Sequence, residues 1–188
     1  MGPLRQQKTF STMGEQTRPP PPKRMPKPRH HARKTLLTVW WTTREVVHYS
    51  FLPNGQTVTS ESYRSELQVV QEKLARIRPV TATRKPPILL HDNARPHVSR
   101  ETIQKLRELN WEVLAHPAYS PDLAPSDYHM FSHMDRFVKE KQFHNQDMVE
   151  NAVREFFESR NPEFFAKGIY DLLNRGEKCL DCNGDYFD

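Results

Sequence analysis

Two aspartates stand where a chain of this kind could do chemistry. Asp92 follows the short apolar run Pro86 to His91 (PPILLH), and Asp127 follows Pro125-Ser126 at the start of a helical pattern. Both carboxylates therefore fall at the ends of elements, where open α/β sheets usually carry their sites. The chemistry that suits such a pair is phosphoryl transfer, in which two Mg²⁺ or Mn²⁺ ions roughly 4 Å apart clamp the attacking and leaving oxygens. Hard ions of this kind take carboxylate oxygen. The same residues also have plainer readings: Asp127 can cap its helix, and Asp92-Asn93 can make a turn.

Other reactive pairs are weaker. His129 and His133 have the i, i+4 spacing of a zinc pair, but Met130 stands where a metalloprotease needs its glutamate. Cys179 and Cys182 form one CxxC with no second pair, whereas a closed zinc site needs four ligands. They read as reduced structural cysteines. Phe156, Phe157, Phe164 and Phe165 read as core.

The elements that must position the aspartates can be read from periodicity. Thr35 to Trp41 (TLLTVWW) and Glu45 to Leu52 (EVVHYSFL) are β-branched and aromatic runs, predicting adjacent antiparallel strands. Between Ser60 and Ile77, Leu67, Val70, Leu74 and Ile77 recur as an amphipathic helical stripe. Pro86 to His91 reads as a buried strand. Ser99 can cap a helix carrying Ile103, Leu106 and Leu109, and Trp111 to Ala115 reads as a further strand. Helical patterns follow over 126–141, 146–159 and 162–174, the last burying Phe165, Ile169, Leu172 and Leu173. Alternating strands and helices imply a sheet with crossover helices.

Charge divides the chain. Of 188 residues, the first 34 hold nine Lys/Arg against Glu15 alone, while the remainder is mildly acidic and the whole carries +5. The first 34 also hold seven of 16 prolines. Residues 1–34 thus read as a basic, extended arm and residues 35–188 as one globular domain. Such an arm suits a polyanion partner or serves as a solubilising tail. No apolar run approaches the roughly 18 residues that cross a bilayer, and no apolar leader follows a basic start.

The blocks His91 to His97 (HDNARPH) and His116 to His129 (HPAYSPDLAPSDYH) resemble the second and third catalytic blocks of mariner-family transposases, and 34 residues separate Asp92 from Asp127 here as in that family. The likeness continues through Val39-Trp40-Trp41, His48 to Leu52, Lys141 to Gln146 and Cys179 to Phe187. The resemblance implies a ribonuclease H-like, retroviral integrase-type α/β fold and metal-dependent endonuclease and strand-transfer activity with Mg²⁺ or Mn²⁺. It implies no small-molecule cofactor. It assigns Asp92 and Asp127 as catalytic, metal-holding residues, Asn93 as the group orienting Asp92, and Arg95 as a contact to a DNA phosphate, where a salt bridge or loop hydrogen bond is the alternative. It makes residues 1–34 similar to a clamp loop, with Arg18, Lys23, Arg24, Lys27, Arg29, Arg33 and Lys34 on double-stranded DNA, and implies a homodimer and a nuclear location.

The family's first catalytic aspartate lies upstream of the 35–52 strands, on the central strand of the sheet, yet no Asp precedes Asp92 here. The chain is accordingly expected to be truncated after that residue, without the helix-turn-helix region, and to lack the fold's first strand unless residues 4–12 or a partner fill the slot. Activity is then incomplete. The alternative is a non-catalytic DNA-binding or dimerising relic, domesticated or degraded. Gly176 stands where close relatives of the family have Trp, and Ala118 where they have Pro.

Overall fold

The computed structural model describes residues 4–11, 34–53, 55–77 and 85–182. Strands β2 (Lys34–Trp41) and β3 (Val46–Leu52) form the expected hairpin, closed by the Thr42 N–H donating to the Glu45 carbonyl at 2.9 Å. β1 (Leu4–Ser11) lies antiparallel to β2, with Leu4 opposite Trp41 and Ser11 opposite Lys34. β1 also runs parallel to β4 (Ile88–Leu90), with Leu4 opposite Leu90. β5 (Glu112–Leu114), parallel to β4, completes the order β3-β2-β1-β4-β5.

The central position expected to stand empty is therefore filled by Leu4–Ser11, and these residues do not belong to a solvated arm. Composition averaged over the first 34 residues concealed them. All seven prolines of that stretch fall outside 4–11, so each residue of the segment keeps the backbone N–H that a ladder between two strands requires. The slot demands backbone donors and acceptors rather than a particular set of side chains.

Alternation along β2 builds a core on each face of the sheet. Trp40 joins Tyr63, Leu67, Val70 and Leu74 of α1 (Ser60–Ile77), Leu89 of β4, Leu106 of α3 (Arg100–Glu108) and Trp111. Leu37, Val39 and Trp41 join the opposite cluster, with Met134 of α4 (Ser132–Lys139), Val153 and Phe156 of α5 (Gln146–Glu158), and Phe165 and Ile169 of α6 (Pro162–Asp181). α3 begins at Ser99 as expected, its hydroxyl accepting from the Thr102 N–H at 3.2 Å, and a four-residue helix, α2 (Arg95–Val98), precedes it.

Two helix boundaries differ from the sequence reading. α6 runs on to Asp181 rather than 174, and Leu173, expected in the core, is 65% exposed. At 3.6 residues per turn Leu173 lies about 80° around the helix from Phe165, outside the buried stripe. Among the described residues no helix is long and apolar enough to cross a membrane.

One carboxylate clamps α1 to the hairpin. Glu66 accepts from the Thr38 hydroxyl at 2.8 Å, the Ser50 hydroxyl at 2.7 Å and the Trp40 indole N–H at 2.9 Å. Its removal leaves three part-buried donors without their acceptor, a cost of roughly 1–3 kcal/mol for each group that water cannot reach. Glu66→Ala is expected to lower unfolding free energy by about 2–4 kcal/mol in urea denaturation, with Glu66→Gln intermediate; an unchanged midpoint in the alanine variant would show that the clamp contributes nothing.

Candidate catalytic carboxylate site

Asp92 stands just past the end of β4, on a turn stiffened from both sides. Its Oδ1 accepts the Ala94 backbone N–H at 3.0 Å and lies 2.5 Å from His97 Nδ1. An ionised carboxylate only accepts, so Nδ1 carries the proton in this bond. His97 is itself buried and fixed, its ring stacked on His91 at 5.1 Å and 11° and packed against Tyr63 at 4.5 Å. The Tyr63 hydroxyl lies 2.6 Å from His91 Nδ1. The His97 bond is the main reason that the Asp92 carboxyl is pushed down to about 2, against the opposing effect of burial; the Ala94 N–H and the neighbouring His97 and His91 add to it. Asp92 is thus anionic throughout the physiological range, and its Oδ2 accepts from none of the described residues.

Asp127 is mounted differently. It lies in a π-helical turn, Ser126–Phe131, that leads into α4, a wide turn that often marks functional positions. Its own N–H donates to the Ala124 carbonyl at 2.8 Å, and the residues around it are tied to other elements. The Trp41 indole donates to Ser126 Oγ at 3.0 Å, the Tyr128 hydroxyl to the Gly168 carbonyl at 2.7 Å, and His129 Nε2 to the Phe164 carbonyl at 2.8 Å. Arg175 stacks on the Tyr128 ring at 4.1 Å and donates to the Asp122 carbonyl at 3.3 Å. Burial, and then the Asp171 charge, push the Tyr128 hydroxyl upward, so it remains a donor.

The two carboxylates line one cavity of about 530 Å³, together with Asn93, His97, His116 and Tyr119. Burial pushes His116 down, opposed by Asp92. Asn93, expected to orient Asp92, instead donates to the His116 carbonyl at 2.9 Å and joins the two walls of the cavity. Its amide is spent on the loop after β5, and the orienting work falls to His97 and Ala94. His97 stands in the HDNARPH block but was not singled out in the sequence; only its five-residue offset from Asp92, reaching back across the turn, could have signalled it. Arg95 is exposed at the start of α2. Arg18, Lys23, Arg24, Lys27, Arg29 and Arg33 lie outside the described residues, as does the side chain of Lys34.

The remaining motifs resolve as structural. His129 and His133 make no zinc pair, since His129 bonds Phe164 and His133 Nδ1 lies 2.8 Å from the His129 carbonyl. Cys179 is half-buried and Cys182 exposed, both free. Among the described residues no group of three or more metal-ligating side chains converges.

The sheet order, with one carboxylate following β4 and a second in the helical region beyond β5, defines a ribonuclease H-like catalytic domain of a DNA transposase. A family model described as transposase, partial DDE domain, matches residues 15–84. The chain is 40% identical over 163 residues to the mariner Mos1 transposase of Drosophila mauritiana, covering 86% of this chain and 47% of that protein. It is 53% identical over 166 residues to the human histone-lysine N-methyltransferase SETMAR, covering 88% of this chain and 24% of that protein. The chain thus spans under half the length of either relative. Its structure superimposes on the Mos1 catalytic domain solved with raltegravir and magnesium at a TM-score of 0.85 and 36% identity, covering 99% of this chain and 85% of that one; similar Mos1 structures include paired-end and strand-transfer complexes. The chain belongs to the mariner family of transposases, and what it spans is the catalytic domain.

The mounting of Asp127 has measurable consequences. A Cβ on Gly168 would lie 2.8 Å from His129 Cγ, so Gly168→Ala forces the ring or α6 to move and is expected to cost about 1–3 kcal/mol in denaturation experiments. His129, 7% exposed, is pushed down to about 4, chiefly by burial and then by His133. Its folded value lies below the unfolded one, so the unfolded state binds more protons between about 6.5 and 4. The stabilisation is complete above about 6.5 and is lost as pH falls through that window. Lowering pH from 7.5 to 5 should remove about 2 kcal/mol, and His129→Gln, which keeps a donor but does not titrate, should show a shallower loss; equal pH profiles for the two proteins would refute this role.

Proposed function

We propose that the chain is the DNA-cleaving and strand-transferring domain of a mariner-type transposase by descent, with Asp92 and Asp127 as its metal-holding carboxylates, and that its ligand set is one carboxylate short. The observation that carries this reading is the composition of the central strand. β1 reads LRQQKTFS and contains no acid. Its parallel register, Leu4 opposite Leu90, carried two residues on, sets Gln6 level with Asp92. An amide at that position brings no charge to a site that must offset two divalent ions. Glu45, a candidate substitute, sits in the β2–β3 turn and lines a different cavity. Glu15 lies outside the described residues.

The donor chemistry suits a hard divalent ion. Asp92 is held anionic with one oxygen committed to His97 and Ala94 and the other available, and Asp127 faces the same cavity. Mg²⁺ or Mn²⁺, when bound, supplies charge stabilisation to the oxygens of the phosphodiester. His97 keeps the Asp92 carboxylate in one orientation, Asn93 keeps the cavity walls together, and the Tyr128 and His129 bonds keep Asp127 from swinging away. Preorganisation of this kind avoids rearrangement at the moment of reaction.

The partner on this reading is double-stranded DNA, held without sequence preference by Arg18 to Lys34, in a homodimer and in the nucleus, where that DNA is found. A second reading has its own support. SETMAR shows this kind of segment inside a protein with a different named activity, and with the acid-free strand it favours a module that retains DNA binding or dimerisation without cutting.

One assay separates the two. Transposon-end duplexes incubated with Mg²⁺ or Mn²⁺ should not be cut by the unmodified chain, while Gln6→Asp should raise metal-dependent cleavage by about 10²-fold or more, and adding Asp92→Ala to it should abolish the gain. Failure of Gln6→Asp to cut, with DNA still bound, supports the binding-module reading. Cutting by the unmodified chain that Asp92→Ala removes would mean that another group supplies the third ligand.

A further inference from the structure

Tyr119 is the large apolar side chain least accounted for by packing. It is 91% exposed, and it lines the cavity that holds Asp92 and Asp127. Its backbone has φ of 56°, a left-handed conformation that a bulky residue adopts at a cost and that glycine or asparagine takes far more readily. The loop therefore holds an aromatic ring in solvent, at the rim of the candidate site, in a backbone geometry unsuited to it. Outliers of this type gather at functional positions. Pro117 and Pro121 flank it at two residues on either side, and their fixed φ values limit how far the loop can relax.

The cavity implies what the ring meets. At about 530 Å³ it has the volume of a small-ligand pocket rather than of a duplex cradle. A phosphodiester that is to reach both carboxylates must come in as a strand end lifted from its helix, and the nucleobase beside it then loses its stacking neighbours. Unstacking costs a few kcal/mol unless another π-face replaces the one lost. An exposed aromatic ring offers such a face to any base, because stacking needs no particular pattern of donors and acceptors.

We propose that Tyr119 is a stacking platform for an unpaired nucleobase adjoining the reacting phosphodiester, a positioning residue of this site. The proposal rests on the reading of DNA as the partner. It deepens that reading by assigning the recognition of the frayed strand end to one side chain, with tolerance for any base.

The test uses the full chain, in chelator so that no cleavage occurs, and a duplex with a frayed end carrying 2-aminopurine at its last unpaired position. Wild-type protein is expected to quench the fluorescence of that base on binding. Tyr119→Phe should keep the quench. Tyr119→Gly should lose it and weaken binding of the frayed duplex by about 5- to 150-fold, while binding of a fully paired duplex changes much less. The same glycine variant should melt at a temperature equal to or above that of the wild type, because glycine relieves the left-handed backbone. Loss of a merely structural tyrosine cannot raise stability and abolish the quench together. If Tyr119→Gly binds and quenches like wild type, the platform is refuted while DNA remains the partner. If the wild-type chain binds neither duplex, the DNA reading fails and the platform with it.

Discussion

A sheet whose middle strand bridges two halves depends on that strand's backbone hydrogen bonds. The β2–β3 hairpin and the β4–β5 pair adjoin β1 on opposite sides and, in the sheet, meet only through it. The ladder along β1 from Leu4 to Ser11 aligns Trp41 with Leu4, and the pairing of Leu4 with Leu90 then fixes where β4 ends. That end sets Asp92. Trp41 in turn donates to Ser126 beside Asp127. Both carboxylates are thus referenced to one segment whose own side chains carry no acid, and the segment acts as a spacer with a defined register. Unpaired backbone groups at that position would be costly, so the slot selects for any chain able to pair on both sides.

Much of this was legible in the sequence. α1 occupies the span that the spacing of Leu67, Val70 and Leu74 marks out, and the hairpin follows its β-branched runs to within a residue. These are local signals, a helical stripe and an alternation, and local physics fixes them. β1 was not legible, because LRQQKTFS has neither strong alternation nor β-branched density, and its state is decided by neighbours distant in the chain. The pairing of Asp92 with Asp127 was legible through motif resemblance, and the shared cavity agrees with it. The part played by Asn93 was misjudged for a related reason: an amide two loops from its acceptor, the His116 carbonyl, leaves no trace in spacing.

The two aspartates are secured by contrasting means. Asp92 is gripped directly, by hydrogen bonds on its own carboxylate, which fixes both its charge and its orientation. Asp127 is held through its neighbours, which anchor the turn while the carboxylate itself faces the cavity. The first arrangement favours constant charge. The second lets the side chain rotate about a backbone that cannot move, a sensible division where one ligand must be permanent and the other must adjust to strands that enter, react and leave.

α6 supplies the carbonyls of Phe164 and Gly168 and the guanidinium of Arg175, all of which hold the Asp127 turn or the loop before it. On a ribosome these groups are made well after the aspartate that they secure. At 5–20 residues per second, the stretch from Asp127 to Arg175 takes roughly 2–10 s to synthesise, and the last of it must also clear the exit tunnel. Throughout that interval a nascent chain can hold a formed sheet and a placed Asp92 while Asp127 lacks its mounting. Competence for handling nucleic acid therefore arrives late in translation, and a product released early, before α6, would carry the sheet without a second fixed carboxylate.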